Sequence, residues 1–270
     1  MKFFSLILLV LVVLACNQPT EKVPEAAVDS TGNRPSPELL QQLSRINQYP
    51  DSTSLRVQAI EVLDSIGALR EAISQVDILI KKDSLHAGYW TKKGELSEKI
   101  GDTTTALMCY RYAARIYPSP DLMLRAANLL AEQKNDTTLL LLQTIAQEWN
   151  DRTYLSHVAF IKGVYYARKG NPSKAHQSFE QCIAINYHYL EAYMEKGFLY
   201  WDTDNIAAAQ KVFKTVIQLK STYPDGYYWL AKCDARLQDT AAAKMHYQQA
   251  QRLDAEMPIP AFASETPPGK

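Results

Sequence analysis

The chain has 270 residues, 47% of them hydrophobic and 21% charged, and its 29 basic residues balance 29 acidic ones to a net charge of +0. This is globular composition, which excludes disordered, collagen-like and disulfide-dense classes. Without a basic excess the chain has no electrostatic footprint for nucleic acid, which is therefore not an expected partner.

The N-terminus reads as an address. Met1 and Lys2 precede an apolar run over residues 3–14, broken only by Ser5. That run is about half of the roughly 20 residues a helix needs to cross a bilayer, and it suits a secretory signal peptide over 1–15. It ends in Val13, Leu14, Ala15 and Cys16, which resembles the lipobox of bacterial lipoproteins. The resemblance implies cleavage before Cys16, a diacylglycerol on its sulfur and often a further acyl chain such as palmitate. The alternative is ordinary signal cleavage at the same bond, leaving Cys16 unmodified. Two or three acyl chains, at about 0.8 kcal/mol per buried methylene, anchor a protein for good. Asn17 stands where an inner-membrane lipoprotein carries Asp, so the resemblance implies the outer membrane. No acidic run follows, which speaks for the periplasmic side.

Residues 16–36 comprise Cys16 and a tether with three prolines and no hydrophobic period. Twenty such residues span about 25 Å on average and about 70 Å when stretched. Ser36 can cap a helix that begins at Pro37, a favoured first helical position. Residues 37–52 then read as a capping helix, with Leu39, Leu40, Leu43 and Ile46 on one face.

From residue 53 the chain repeats itself, and a fixed period outranks local propensity as a signal. Small residues recur at Gly94, Gly163, Gly197 and Ala231, the last three in steps of 34. Alanines follow at 72, 106, 175, 209 and 243, and aromatic residues at Tyr110, Phe179, Phe213 and Tyr247. Turn formers fall between them, as Gly67, Gly101-Asp102, Asn135-Asp136, Gly170-Asn171, Asp204-Asn205 and Gln238-Asp239. Helical spacing on both sides of each turn predicts pairs of antiparallel helices.

This pattern resembles the tetratricopeptide repeat. Trp90, Gly94, Ala106, Tyr110, Ala113 and Pro118 nearly complete its consensus, and Tyr193, Gly197, Tyr200, Ala209 and Phe213 repeat it. The resemblance implies an all-α, right-handed solenoid of about six units over 53–257: 53–86, 87–120, 121–155, 156–189, 190–223 and 224–257. Lys93, Lys162 and Lys196 replace a consensus leucine and are expected to snorkel to solvent. The third unit departs, with Leu140 at the alanine position, Thr144 at the aromatic one and one extra residue at 150–152. It reads as a degenerate repeat or as a patch for a partner. The final helix carries Lys244, Gln248, Gln251 and Arg252 to face water as a terminal unit must. Residues 258–270 read as an unstructured tail.

The resemblance also implies that the first helix of each unit lines a concave surface. Glu61, Asp64, Glu95 and Glu98 make its early part acidic. From the third unit onward the same positions give Leu122, Arg125, Leu129, Phe160, Val164, Met194, Phe198, Trp201, Tyr228 and Lys232. That strip is expected to bind a peptide or helix of a partner, with its aromatic residues and arginine as anchors. The Lys and Asn pair of the carboxylate clamp found in chaperone-binding members is missing from every unit.

No metalloprotease, nucleophile-elbow, phosphate-loop or dinucleotide motif occurs. The five histidines (86, 157, 176, 188 and 246) are scattered, so neither metal nor cofactor is expected. Cys109, Cys182 and Cys233 lie a unit or more apart, beyond the roughly 7 Å reach of a disulfide, and are expected to be buried thiols. The sequence thus points to a non-catalytic, lipid-anchored scaffold. Rival readings are an outer-membrane assembly lipoprotein resembling BamD, suggested by Tyr49-Pro50, Tyr117-Pro118 and Tyr223-Pro224; an envelope hydrolase using Glu95, Glu98 or His157; and a homo-oligomer joined through the strip.

Overall fold

A computed structural model describes residues 37–264. The signal peptide at 1–15, Cys16 and the tether to residue 36 lie outside the described residues, as do the side chains of Leu39, Leu40 and Leu43. The fold is all-helical among the described residues. The chain divides into two compact units, one ending at Ala72 and the other starting at Ile73.

In the first unit, α1 (Pro37–Gln48) packs on α2 (Thr53–Ser65). Ile46 is buried, as are Ala59, Ile60 and Leu63 of α2. Ser52 opens α2 by accepting from the Leu55 N–H at 3.4 Å, and the buried Arg56 donates to the Pro50 carbonyl at 2.8 Å.

The second unit takes up α3 (Leu69–Lys82) from Ile73. Five helical hairpins follow: α4 (Ala87–Lys99) with α5 (Thr103–Ile116), α6 (Pro120–Glu132) with α7 (Thr137–Glu148), α8 (Arg152–Arg168) with α9 (Pro172–Ile185), α10 (Leu190–Asp202) with α11 (Ile206–Leu219), and α12 (Pro224–Arg236) with α13 (Thr240–Leu253). One contact recurs inside these hairpins. The fully buried rings of Tyr110, Phe179 and Phe213 lie across Gly94, Gly163 and Gly197, sixteen residues earlier in each case. A methyl group on Gly94 would sit 2.6 Å from Tyr110, and one on Gly197 2.5 Å from Phe213. The missing side chain is thus what lets the two helices close on the ring.

The hairpin turns share one solution. Gly101, Gly170, Asp204 and Gln238 take positive φ, and the next residue's N–H reaches back five residues, as in Asp102 to Ser97 and Asn205 to Tyr200, both at 2.9 Å. This closes the first helix in the manner of a Schellman motif. The side chain of that same residue then opens the second helix, as when Asp102 accepts from the Thr105 N–H at 3.0 Å and Asp239 from the Ala242 N–H at 3.0 Å.

The α6–α7 hairpin breaks this register. Lys134 takes the positive φ, and the Asn135 N–H reaches the Leu130 carbonyl at 2.9 Å, one residue earlier than the repeat count places the turn. Asn135 then accepts from Thr137, two residues on, at 3.0 Å, and α7 turns a different stripe inward. Thr138, Leu142 and Ile145 are its buried residues. Leu140, expected at the alanine position, is 68% exposed, and Leu142 rather than Thr144 takes the inward place of the aromatic residue. α8 also begins at Arg152, four residues ahead of the expected unit start, where Asp151 caps it by accepting from Thr153 at 2.9 Å.

The repeats are tied together by polar contacts between them. Arg168 grips Glu132 of α6 at 2.8 and 3.1 Å and Glu195 of α10 at 3.2 Å, so one side chain of α8 joins three hairpins. Two of the three lysines expected to snorkel do not. Lys93 pairs with Asp77 at 2.7 Å and Lys196 with Glu180 at 3.1 Å, each lysine side chain only 18% exposed. Both acids stand sixteen residues earlier, on the second helix of the preceding unit.

At the C-terminal end the tail does more than the sequence suggests. Residues Ala261–Ser264 form α14, Pro260 is buried, and the Phe262 ring meets Tyr247 edge-on at 6.2 Å. The Tyr247 hydroxyl is buried with no hydrogen-bond partner among the described residues. Its counterpart Tyr110 donates to Glu98 at 2.8 Å, whereas Ala235 stands twelve residues before Tyr247.

Gly197→Ala should lower stability by about 1–3 kcal/mol, the usual cost of overfilling a tight contact, read as a reduced urea midpoint. Tyr247→Phe should leave stability unchanged or raise it by about 1 kcal/mol, because it removes an unsatisfied hydroxyl; a lower urea midpoint would show that the hydroxyl has a partner.

Candidate functional site

The ten residues of the expected binding strip divide by burial. Leu122, Leu129, Val164 and Met194 are buried and serve the hairpin cores rather than an open surface. They are apolar residues on helix faces that neighbouring helices cover, which position counting along a single helix cannot register. Arg125 is exposed and pairs with Glu95 at 3.2 Å, its guanidinium 5.9 Å from the Tyr110 ring. Phe160 is half-buried and stacks on Tyr189 at 5.0 Å.

The remaining four come together. Phe198 and Trp201 of α10 and Tyr228 and Lys232 of α12 gather around Trp229, which sequence reasoning passed over. The Trp229 ring lies 4.8 Å from Phe198, 5.5 Å from Trp201 and 6.1 Å from Tyr228, centroid to centroid. All four aromatic side chains keep part of their surface open to solvent. The Lys232 ammonium lies 3.7 Å from the Trp229 centroid, 5.1 Å from Trp201 and 5.5 Å from Tyr228. Burial among these rings holds its pKa below the usual lysine value, with the adjoining Cys233 acting weakly the other way. The ring faces supply cation–π attraction in place of water. Arg236, one turn further along α12, lies 5.6 Å from the Trp201 ring and pairs with Asp204 at 2.6 Å. Trp229 lies one residue from the counted position Tyr228, and Arg236 four residues from Lys232. The spacing of Lys232 and Arg236 at four residues is the signal that puts both cations on one stripe of α12.

The residues on which a hydrolase reading rests are each engaged by a neighbour. Glu95 pairs with Arg125, Glu98 accepts from Tyr110, and His157 Nδ1 lies 2.7 Å from the Tyr189 hydroxyl. His246 meets the buried Asp234 at 2.6 Å, and Gln210 donates to the other oxygen of that carboxylate at 2.6 Å. Among the described residues no group of three His, Cys, Asp or Glu converges in a way that could hold a metal.

Residues 190–223 and 224–257 match the tetratricopeptide repeat family, and these stretches contain α10 to α13, hence the whole aromatic cluster. The chain carries tetratricopeptide repeats. Its fold is similar to that of a tetratricopeptide repeat protein from Parabacteroides merdae, with a TM-score of 0.66 and 14% identity over 80% of this chain and 85% of that one. It is also similar to PilW, a type IV pilus biogenesis factor, with a TM-score of 0.59 and 18% identity over 78% of this chain and 96% of that one. A third similar structure is Pseudomonas aeruginosa PilF, with a TM-score of 0.54 and 16% identity over 76% of this chain and 92% of that one. No curated protein matches the chain in sequence.

The three cysteines of the repeats are free and buried. Burial pushes the thiols of Cys182 and Cys233 up to about 12 and that of Cys109 up to about 11. An unfolded thiol ionises near about 8.5, so the neutral thiols stabilise the fold fully below that pH. Their contribution is lost as pH climbs through the folded values. The urea midpoint should therefore fall between pH 8 and pH 11, and fall less steeply in Cys182→Ala. Parallel slopes for the two proteins would assign the alkaline loss to other groups.

Proposed function

We propose that this protein is a non-catalytic scaffold that docks a peptide or helix of a partner protein on the aromatic surface of α10 and α12. The carrying observation is the partly open cluster of Phe198, Trp201, Tyr228 and Trp229 around Lys232. Phe213 and Tyr247 fill the hairpin cores beneath; Phe198, Trp201 and Trp229 pack against that core and still keep part of their surface open to a partner. Trp, Tyr and Arg are the residue types that most often anchor interfaces. Lys232 has no acidic partner among the described residues, which favours a partner segment with an apolar anchor and a neighbouring carboxylate. Arg125, Phe160 and Tyr189 extend the same kind of surface toward the earlier repeats. Proteins built from this repeat generally act as scaffolds without catalysis, which supports the non-enzymatic reading.

The address belongs to the same proposal. The Cys16 motif supports a lipid anchor in a bacterial envelope, in the outer membrane facing the periplasm. The fold likeness to PilW and PilF, the first of which is a type IV pilus biogenesis factor, is in keeping with an envelope role. No described helix is long and apolar enough to cross a membrane.

Crosslinking in the native envelope followed by mass spectrometry tests the docking surface. A Trp201→Ala, Lys232→Glu double variant should lose at least about tenfold of its major crosslinked partner, and an unchanged partner set would place recognition elsewhere. In the same cells Cys16→Ser should abolish incorporation of labelled palmitate and release the protein from the membrane fraction; retention of the label would refute the anchor.

A further inference from the structure

The lysine at the seventh position of three units provides an internal standard. In two of those units an acid sixteen residues earlier neutralises it: Asp77 for Lys93 and Glu180 for Lys196. In the unit between, Ala146 stands sixteen residues before Lys162. Lys162 is half-buried and has no acidic partner among the described residues. α7 carries no acid before its last residue, Glu148, so this lysine lacks the carboxylate that its counterparts have.

Space is open beside this lysine. A half-open cavity of about 480 Å³ lies between α7, α8 and α9, with Lys162 and Ala146 both in its wall. Leu139, Leu142, Leu155 and Val158 make it apolar, and Gln143 and Gln181 add uncharged polar groups. Counted from the turn residue Asn135, Gln143 falls where the other hairpins place their core ring, and this helix buries Leu142 instead. The lining is therefore mostly apolar, Lys162 is its one charged residue, and none of its residues is acidic.

We propose that this cavity is a binding site for a small amphiphilic carboxylate, whose head group pairs with Lys162 and whose hydrocarbon body lies along Leu139, Leu155 and Val158. The head group is specified by the molecule itself, because the counterpart lysines of two other units pair with carboxylates, Lys93 with Asp77 and Lys196 with Glu180. The body is specified by the apolar wall. Size selects a small molecule: the volume is within the roughly 300–1,000 Å³ of small-ligand sites, whereas a stable protein interface needs about 800 Å² from each partner. A chain of about ten carbons, each about as bulky as a water molecule at roughly 30 Å³, fills much of the space. The site lies on α7 to α9 and is independent of the aromatic cluster on α10 and α12.

Decanoate, used below its micellar concentration, is the probe, and methyl NMR shifts of Leu139, Leu155 and Val158 are the readout. Decanoate should perturb these methyls saturably, and decanol, with the same chain and no charge, should bind at least about tenfold more weakly. Lys162→Met should weaken decanoate by a similar factor. Ala146→Glu should restore the internal ion pair, leave the fold intact and abolish binding. Equal binding of decanoate and decanol to the unaltered protein would remove the role of Lys162, and this comparison needs no variant to fold. Absence of saturable shifts with decanoate, or decanoate binding undiminished in Ala146→Glu, would overturn the site. Partners lost in the crosslinking experiment above while decanoate binding persists would separate the two surfaces.

Discussion

An aromatic ring laid across a residue without a side chain holds three of the five hairpins shut. The contact is short-range, sixteen residues along the chain, and buries large rings completely at Tyr110, Phe179 and Phe213. Fully burying a side chain such as Phe contributes about 1.5–3 kcal/mol. The turns and the polar links between repeats are built around that closure. One residue ends the first helix through its backbone and starts the second through its side chain. Arg168 then fastens neighbouring hairpins to one another.

With closure supplied inside the hairpins, other positions on the first helices become available for different work. The rings around Trp229 are the clearest case. They are assembled from two adjacent repeats, and Phe198 and Trp229 lie on the buried Phe213 ring while keeping part of their own surface open. A lysine set against three aromatic faces exchanges part of its hydration for ring contacts, without an internal carboxylate.

How much was legible in the sequence follows from which of these features repeat. Helical spacing and the 34-residue series of Gly197 and Ala231, Ala209 and Ala243, and Phe213 and Tyr247 identify an all-helical array, because the same contact recurs and so the same letters recur. The third unit was legible as irregular but not in its resolution. The slip lies in a turn at Lys134 and Asn135 whose residue types suit either register, and only three-dimensional placement shows Leu140 facing water and Leu142 facing in. The grouping of the residues expected in the strip was legible in part. Phe198, Trp201, Tyr228 and Lys232 do meet, while Leu122, Leu129, Val164 and Met194 are covered by helices that a one-dimensional count cannot see. Trp229 escaped notice because it lies next to a counted position. The lysines at 93 and 196 were misread for a related reason: their acids are distant in sequence and only become neighbours when one repeat stacks on the next.

Because ring and glycine belong to the same hairpin, the array is assembled from self-sufficient bricks rather than from halves that must find each other. A gene that loses or duplicates one thirty-four-codon block at a hairpin boundary would still encode bricks that each close properly, leaving only the mortar between them to be adjusted. Lengthening or shortening the solenoid is then a small evolutionary step, while altering the inside of any one brick is a large one.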